Sequence, residues 1–518
     1  MAQLCWQCGA LPKPATASES PETEPLHDFH HLIISNDVPL DSEIPFIRGI
    51  ISDGQNQVDT LNSQIDNLRA AITGLAQKRD KIAKNIRQHR AILSPVRRVP
   101  PELVCEILVL SLFSDDHEDP TNNPPWHLGH ICRLWRYYVS TYPALWSSIT
   151  IPSSSSSSDP HPLISMIETQ LVRSADTLLR VCWSLHPDRR IADPGSVDLI
   201  LAQSSRWKSL LLDIGCNYDG ELHWLRAANG RLVALETFEV RGSYQVEIPD
   251  IFSTTPSLRN VFLSNWVFKA SSAPAIPWAQ ITRYSGALDM DLQLEILEAA
   301  PNLLSCAISL TAWADYDRGM PTVLPRLWHL RIEMPGFLHR LEAPLLEELV
   351  CQYSRTTRGR SEILPFIQRS SCSLKTLVLR RCSIDSNLVA VLQSLPSLTN
   401  LVLDNRHEHG NVNSTPTQIA LLDALTGGLC PNLTFLAYRV GPKDDAAHLF
   451  AMARSRFRLE PPRPRLTQLR LFGGWAYDVE RCPPHIAVEI QMMCDEGFNV
   501  CFVGPREADL LRGKGAFP

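Results

Sequence analysis

The sequence predicts an α+β protein in several parts: a helical coiled coil and a small helical domain, then an irregular α/β solenoid of leucine-rich repeats. Three observations predict it. Apolar residues hold a heptad register from Val58 to Leu93. Two proline-punctuated apolar segments between Ser94 and Ile149 read as a helical hairpin. Beyond them a Leu-x-x-Leu-x-Leu frame returns many times, and a period of that kind is the mark of stacked repeats.

Size and charge bound the reading. At 518 residues the chain exceeds one ordinary core, so two or more domains or a repeat array are expected. A net charge of −6 argues against a surface that wraps nucleic acid. The 14 cysteines are scattered through apolar segments such as VCEIL, LSCAISL and RRCSI, usage that a reducing compartment permits. The N-terminus has no basic segment leading into an apolar stretch, and no run of 18 apolar residues follows. The expectation is a non-secreted cytoplasmic or nuclear protein with no membrane partner.

Residues 1–50, rich in Pro, Ser, Thr and Glu, read as a disordered tail. Cys5 and Cys8 form one CxxC pair with His27, His30 and His31 downstream. A structural zinc site needs a second pair at defined spacing, so free thiols and no metal are expected. Residues 56–93 read as a coiled-coil helix, with Val58, Leu61, Ile65, Leu68, Ile72, Leu75, Ile82, Ile86 and Leu93 in register. Arg79 and His89 interrupt the stripe, and Gly74 weakens the helix by about 1 kcal/mol. Such a helix seeks a partner, either a second copy or the domain that follows. The basic run from Lys78 to Arg90 carries no interleaved aromatics, so it reads as a solvated face and not as a nucleic-acid tract.

Residues 95–150 form the helical domain. Pro100 and Pro101 suit a helix start, where a missing N–H costs nothing. Glu102 and Glu106 lie in the first turns, where carboxylates favour the dipole. Leu103, Ile107 and Leu110 make one apolar stripe, and Ile131, Leu134 and Trp135 another on the second helix. Leu145 and Trp146 add a third anchor, while His127 and His130 read as packed or exposed imidazoles. The acidic insertion Asp115–Asp119 matches no rigid calcium loop, lacking its glycine. Residues 151–160, with an unbroken serine run from Ser153 to Ser158, read as a flexible linker.

Residues 161–505 read as the repeat region and 506–518 as a tail. Clear frames begin at Leu258, Leu327, Leu374, Leu398 and Leu466, looser ones at Trp207, Leu235, Ile281, Leu303, Leu346 and Leu433. Starts are mostly 19 to 28 residues apart, with a stretch to 35 after Leu398. Several follow a proline two residues earlier (Pro256, Pro301, Pro325, Pro396, Pro431, Pro464), consistent with a segment ending before each strand. Only the repeat at Leu374 completes the longer pattern, with Cys382 and Ile384. Apolar positions then point to a shared core that no single unit can bury alone. The positions between them would form an exposed, concave binding face: Glu239, Arg241, Asn260, Phe262, His329, Arg331, Glu333, Glu348, Gln352, Arg380, Asp404, Arg439 and Arg470. Its mixed charge suits a protein partner.

Catalysis finds no motif: the chain has no G-x-S-x-G elbow, Walker loop, H-E-x-x-H or Rossmann fingerprint. No enzyme activity and no cofactor are expected.

The block SPVRRVPPELVCEILVLSLF with PPWHLGHICRLWRYYVSTYPALWSSI resembles an F-box, the small helical adaptor of cullin–RING ubiquitin ligases. Its Leu-Pro-x-Glu-Ile-Leu-x-x-Ile-Phe pattern maps onto Val99 to Leu108, Val-Cys-Arg-x-Trp-Arg onto Ile131 to Arg136, and Leu-Trp onto Leu145 and Trp146. Val99, Val104 and Leu108 depart from it conservatively, each losing about 0.8 kcal/mol of apolar burial per CH₂. With the heptads before it and QSSRWKSLLLDI and PSLTNLVLD after it, the chain is similar to the F-box-like proteins that mushroom-forming fungi (basidiomycetes) carry in large families. The resemblance implies a substrate-receptor subunit of a Skp–cullin–F-box ubiquitin ligase, docking by a helix-in-groove mode. The Skp-type adaptor would meet Val99, Pro100, Pro101, Leu103, Val104, Ile107, Leu108, Ile131, Cys132, Trp135, Leu145 and Trp146, and the repeats would bind a target. The alternative is a leucine-rich-repeat scaffold outside any ligase, its F-box-like hairpin purely structural.

Overall fold

The computed structural model describes residues 29–35, 37–112, 125–151, 161–185, 194–215, 222–242, 248–263, 273–310, 319–352, 362–381, 386–404, 416–440, 447–459, 464–473 and 484–503. The Cys5/Cys8 pair, the acidic insertion, the serine run and the Cys382/Ile384 positions lie outside the described residues. The chain divides into two compact units, Met1–Pro100 and Pro101–Pro518. It is an α/β protein: a helical N-terminal region and a large parallel sheet.

The first unit holds α1 (His30–Ser35) and α2 (Ile44–Ile92). Helix therefore occupies part of the stretch expected to be a disordered tail, and α2 starts well before residue 56. Pro45 sits in its first turn, where its locked φ fits and no N–H is missed. With 49 residues, α2 spans about 73 Å at 1.5 Å per residue. No residue of α2 is buried, and the whole heptad stripe lies exposed. A Cβ at Gly49, Gly54 or Gly74 would meet nothing within 4 Å, so no close approach explains these glycines.

The second unit opens with a hairpin, α3 (Pro101–Leu112) and α4 (Arg133–Thr141). Strands and helices then alternate: β1 (Ser148–Ile151), α5 (His161–Arg173), β2 (Leu179–Leu185), α6 (Pro194–Ala202), β3 (Trp207–Ile214), β4 (Thr237–Gly242), β5 (Asn260–Leu263), β6 (Arg283–Leu288), α7 (Met290–Ala299) and β7 (Ser305–Leu310). There follow β8 (Thr322–Val323), β9 (His329–Ile332), β10 (Leu341–Glu342), β11 (Glu348–Gln352), α8 (Ile363–Ser370), β12 (Thr376–Arg380), α9 (Ser386–Gln393), β13 (Asn400–Asp404), α10 (Pro416–Thr426), β14 (Phe435–Arg439), α11 (Ala447–Phe457), β15 (Gln468–Phe472), α12 (Pro484–Asp495) and β16 (Asn499–Phe502).

Fourteen strands form one parallel sheet in chain order, while β8 and β10 pair separately. Every leucine frame leads into one of its strands. Three strands had no frame to announce them: β1, β2 and β16 lack the leucine two residues ahead. One apolar core runs from Ile149 to Val500 along a face of the sheet, lined by rows such as Leu377–Leu401–Leu436–Leu469. Its continuity follows from the frame, because each strand offers a half-buried face that only its neighbours complete.

The register is held by a recurring hydrogen bond. From Leu235 to Leu433, the carbonyl just after the frame-leading residue accepts from two successive N–H groups of the next repeat. Glu236 O takes Arg259 N and Asn260 N at 3.0 Å each, and Lys375 O takes Thr399 N and Asn400 N at 2.9 Å each. The same pairing recurs at Arg259, Thr282, Leu304, Trp328, Glu347, Thr399 and Thr434. The Pro-polar-Leu approach adds a second tie. Ser257 donates to Val233 O (2.8 Å), Asn302 to Ala279 O (2.8 Å), Ser397 to Leu374 O (2.9 Å) and Asn432 to Pro396 O (2.9 Å). The proline thus ends one repeat, and the polar residue after it stitches that end to the repeat before.

Chemical denaturation checks this account. Leu401→Ala should cost about 2–5 kcal/mol of unfolding free energy as a core cavity. Asn302→Ala should cost about 1 kcal/mol as a lost net hydrogen bond.

Candidate interaction surfaces

Pro101 opens α3 as its first residue, and Glu102 lies in the first turn. The helix then splits into two faces. Val104, Cys105 and Leu108 are buried, Leu108 to 1 %, whereas Leu103 and Ile107 keep 55 % and 54 % of their surface, and Leu110 more. Two faces this apolar leave α3 with little amphipathic contrast, so its sequence period alone does not say which one packs. On α4, Cys132 caps the N-terminus, its sulfur accepting from Trp135 N at 3.4 Å. Ile131, Leu134 and Tyr137 are exposed.

The hairpin closes on Trp146, which is fully buried. Its indole N–H donates to Val139 O at 2.6 Å, and its ring meets Trp126 edge-on at 4.7 Å. The Arg173 guanidinium of α5 lies over both rings, 4.5 Å from Trp146 and 5.1 Å from Trp126. That cation–π contact ties the hairpin to the first crossover of the sheet. Tyr142 donates to Glu106 at 3.2 Å, and Arg136 Nε donates to Gly129 O at 3.0 Å. Burial, then Glu102 and Glu106, pushes the Cys105 thiol up, so this cysteine packs as a hydrophobe.

The residues expected to meet an adaptor therefore separate. Pro100, Pro101, Leu103, Ile107, Ile131 and Cys132 are exposed, and Val99 and Trp135 half-buried. Val104, Leu108, Leu145 and Trp146 are core and unavailable to a partner without unfolding. The physical reason is that a short helical hairpin must build its own core first, and these side chains are its supply. Trp126 and Arg173 were not anticipated, since neither stands in an apolar period.

The second surface is the sheet face opposite the leucine core. The register brings the expected residues into rows. Arg180, Thr237, Asn260, Arg283, His329, Glu348, Thr376 and Asn400 share the first row. Glu239, Phe262 and Arg331 share the next with Val350, Val378, Val402, Ala437 and Arg470. Gln352, Arg380 and Asp404 share the third, in which Arg439 also pairs with Phe472.

Several charges on this face are paired within the chain. Arg241 donates to Glu239 at 2.6 Å, His329 Nδ1 lies 3.1 Å from Glu348, and Arg331 lies 3.9 Å from Glu333. Burial pushes the Arg331 guanidinium below its ordinary value, and Glu333 pulls it back. Glu239, Arg241, Phe262, Arg331, Glu333 and Arg470 are half-buried, and His329 is buried.

Toward the C-terminus the expectation of an exposed face fails. Val350, Val378, Val402, Ala437, Phe472 and Val503 form a second buried apolar cluster, and Arg380 and Asp404 are buried with it, Asp404 to 1 %. Arg439 pairs with Asp404 and lies 5.7 Å over the Phe472 ring. Gly473, at φ +81°, makes room: a Cβ there would come within 2.6 Å of that guanidinium. The signal was present in LVCQ, LVLR, LVLD and LAYR, strands apolar on both alternations. Parallel strands covered on both faces read this way.

Among the described residues no helix is long and apolar enough to cross a membrane, and no group of three or more His, Cys, Asp or Glu is placed to hold a metal ion. No protein-family model matches the chain, and no curated protein is significantly similar to it.

Two substitutions separate these roles. Leu108→Ala should destabilise the second unit by about 2–5 kcal/mol, whereas Leu103→Ala should change its stability by less than about 0.5 kcal/mol, both read by urea unfolding. Asp404→Ala strips a buried charge pair of one member and should cost about 3–5 kcal/mol at unchanged m-value.

Proposed function

We propose that the chain is a substrate-receptor subunit of a Skp–cullin–F-box type ubiquitin ligase. The hairpin of α3 and α4 docks a Skp-type adaptor. The strands and crossovers after it, read as an irregular leucine-rich-repeat solenoid, hold a target protein. The chain does no chemistry in this role. It raises the effective concentration of target lysines near a ubiquitin-loaded conjugating enzyme.

The observation that carries the reading is the outward stripe of α3. The helix has a complete inner face in Val104, Cys105 and Leu108, yet Leu103, Ile107 and Leu110 stay exposed beside it. Apolar side chains grouped on a surface mark a site of association, and helix-in-groove docking uses anchors at this spacing. The F-box resemblance names the partner.

A scaffold outside any ligase is the second reading. It is favoured by the contact of buried Trp146 with half-buried Trp126 and Arg173, which ties the hairpin to the same unit as the sheet. Calorimetric titration of the full chain with a recombinant fungal Skp-type adaptor decides between them. The receptor reading expects binding by the wild type and at least a tenfold loss for Leu103→Asp/Ile107→Asp, whose folded state is checked by circular dichroism. At ~1.4 kcal/mol per tenfold, that is less than two buried aliphatic anchors supply. Absence of binding by the folded wild type leaves the scaffold reading.

A further inference from the structure

We infer that α2 pairs with the α2 of a second copy as an antiparallel two-stranded coiled coil centred between Ile65 and Leu68, with Arg79 of each chain seated against Gly54 of the other. The inference is independent of whether the hairpin docks an adaptor.

The heptad register extends over the whole helix. Ile51, Val58, Ile65, Ile72 and Ile86 fall on one core position, and Leu61, Leu68, Leu75 and Ile82 on the other. All nine are exposed. At roughly 60 Å² each, eighteen such side chains in a pair would bury about 1,100 Å², enough to clear the threshold for a stable interface.

Two features decide the direction. The first is charge. From Ile44 to Asn67 the helix carries one basic residue (Arg48) against three aspartates (Asp53, Asp59, Asp66). From Leu68 to Ile92 it carries seven basic residues against Asp80 alone. The halves sum to 1 − 3 = −2 and 7 − 1 = +6. A parallel pair sets +6 beside +6, whereas an antiparallel pair sets each basic half along an acidic one.

The second is the pattern of exceptions in the core. In a parallel, in-register pair Arg79 would face Arg79, His89 would face His89, and Gly54 would leave a hole opposite Gly54. Two like charges would share one core layer, with a void elsewhere. Ile or Val on one core position with Leu on the other favours parallel dimers, but that preference would have to overcome all three defects. The antiparallel register matches Ile51 with Ile82, Val58 with Leu75, Leu61 with Ile72 and Ile65 with Leu68. The same register sets Arg79 opposite Gly54, so the largest core residue meets the residue with no side chain, with Asp53 next to it. A shift of one heptad either way sets Arg79 against Leu61 or Ile47 and breaks the match. The fit also gives Gly54 a reason that the single chain lacks, since a Cβ there meets nothing within 4 Å.

Sedimentation equilibrium of the full chain tests association: the expected mass is twice 58.1 kDa, and Leu68→Asp should return it to one copy with the sheet intact by circular dichroism. Direction is read by cysteine cross-linking with peptide mapping, which sets the native thiols apart. Chains carrying Gly54→Cys mixed with chains carrying Arg79→Cys should yield a 54–79 cross-link, and neither variant alone should link to itself at the new site. Self-links at 54 or 79 would mean a parallel pair and overturn the inference. So would a monomer at tens of micromolar.

Discussion

The second unit depends on one backbone device, the carbonyl after the frame-leading residues from Leu235 to Leu433 that takes two N–H groups from the next repeat. A parallel strand cannot be joined to its neighbour by a tight turn, so its register has to be set elsewhere. Here it is set at the strand entrance, where the double acceptor fixes the next strand in height. A slip of one residue would carry every leucine to the wrong face. Since the device recurs from Glu236 to Thr434, the leucine rows stay aligned even where spacing between repeats stretches to 35 residues. Length variation is thereby confined to the crossovers, where loop closure costs little.

The hairpin obeys a different constraint. Its two short helices enclose too little volume for a core of aliphatic residues alone, and Trp146 supplies the bulk. Burying that indole obliges its N–H to find an acceptor, and Val139 O provides it. The outer ring faces are covered by Trp126 and Arg173, so the core of the hairpin is finished by a residue from the first crossover of the sheet. That arrangement lets α3 leave Leu103 and Ile107 outside.

What the sequence told varied with the kind of signal. The frames from Leu235 through Leu466 announced their strands because a leading aliphatic residue and a two-residue alternation coincide there, in most cases behind a proline. β1, β2 and β16 carry the alternation without the leader and were missed. For the hairpin, the apolar positions were legible but their direction was not: Val104 and Leu103 are adjacent and equally apolar, and only packing decides which turns inward. The face opposite the leucine core is expected to be exposed because the positions between the frame's apolar residues point away from the shared core, and Arg380, Asp404 and Arg439 stand among them. Their apolar row-mates Val378, Val402 and Ala437 were the better guide, since a charge can be buried when paired but a row of valines across adjacent strands has no reason to meet water.

The two ends of this sheet face differ in what they offer to solvent. Over β12 to β15 the face is sealed by its valine row and by the Arg439–Asp404 pair, so its polar groups serve the fold. Over β4 to β9 the corresponding positions are Glu239, Arg241, Phe262, Arg331 and Glu333, half-exposed and lacking an apolar row beside them. Their ion pairs run within or between neighbouring strands at the surface, where a pair contributes little to stability and can be re-partnered at little cost. A target with complementary charges would exchange one partner for another there without leaving an ion unpaired. It would find no such exchange at Asp404, which is buried. On the receptor reading, a target would therefore meet the face over β4 to β9, because over β12 to β15 the same face is closed by its own buried side chains.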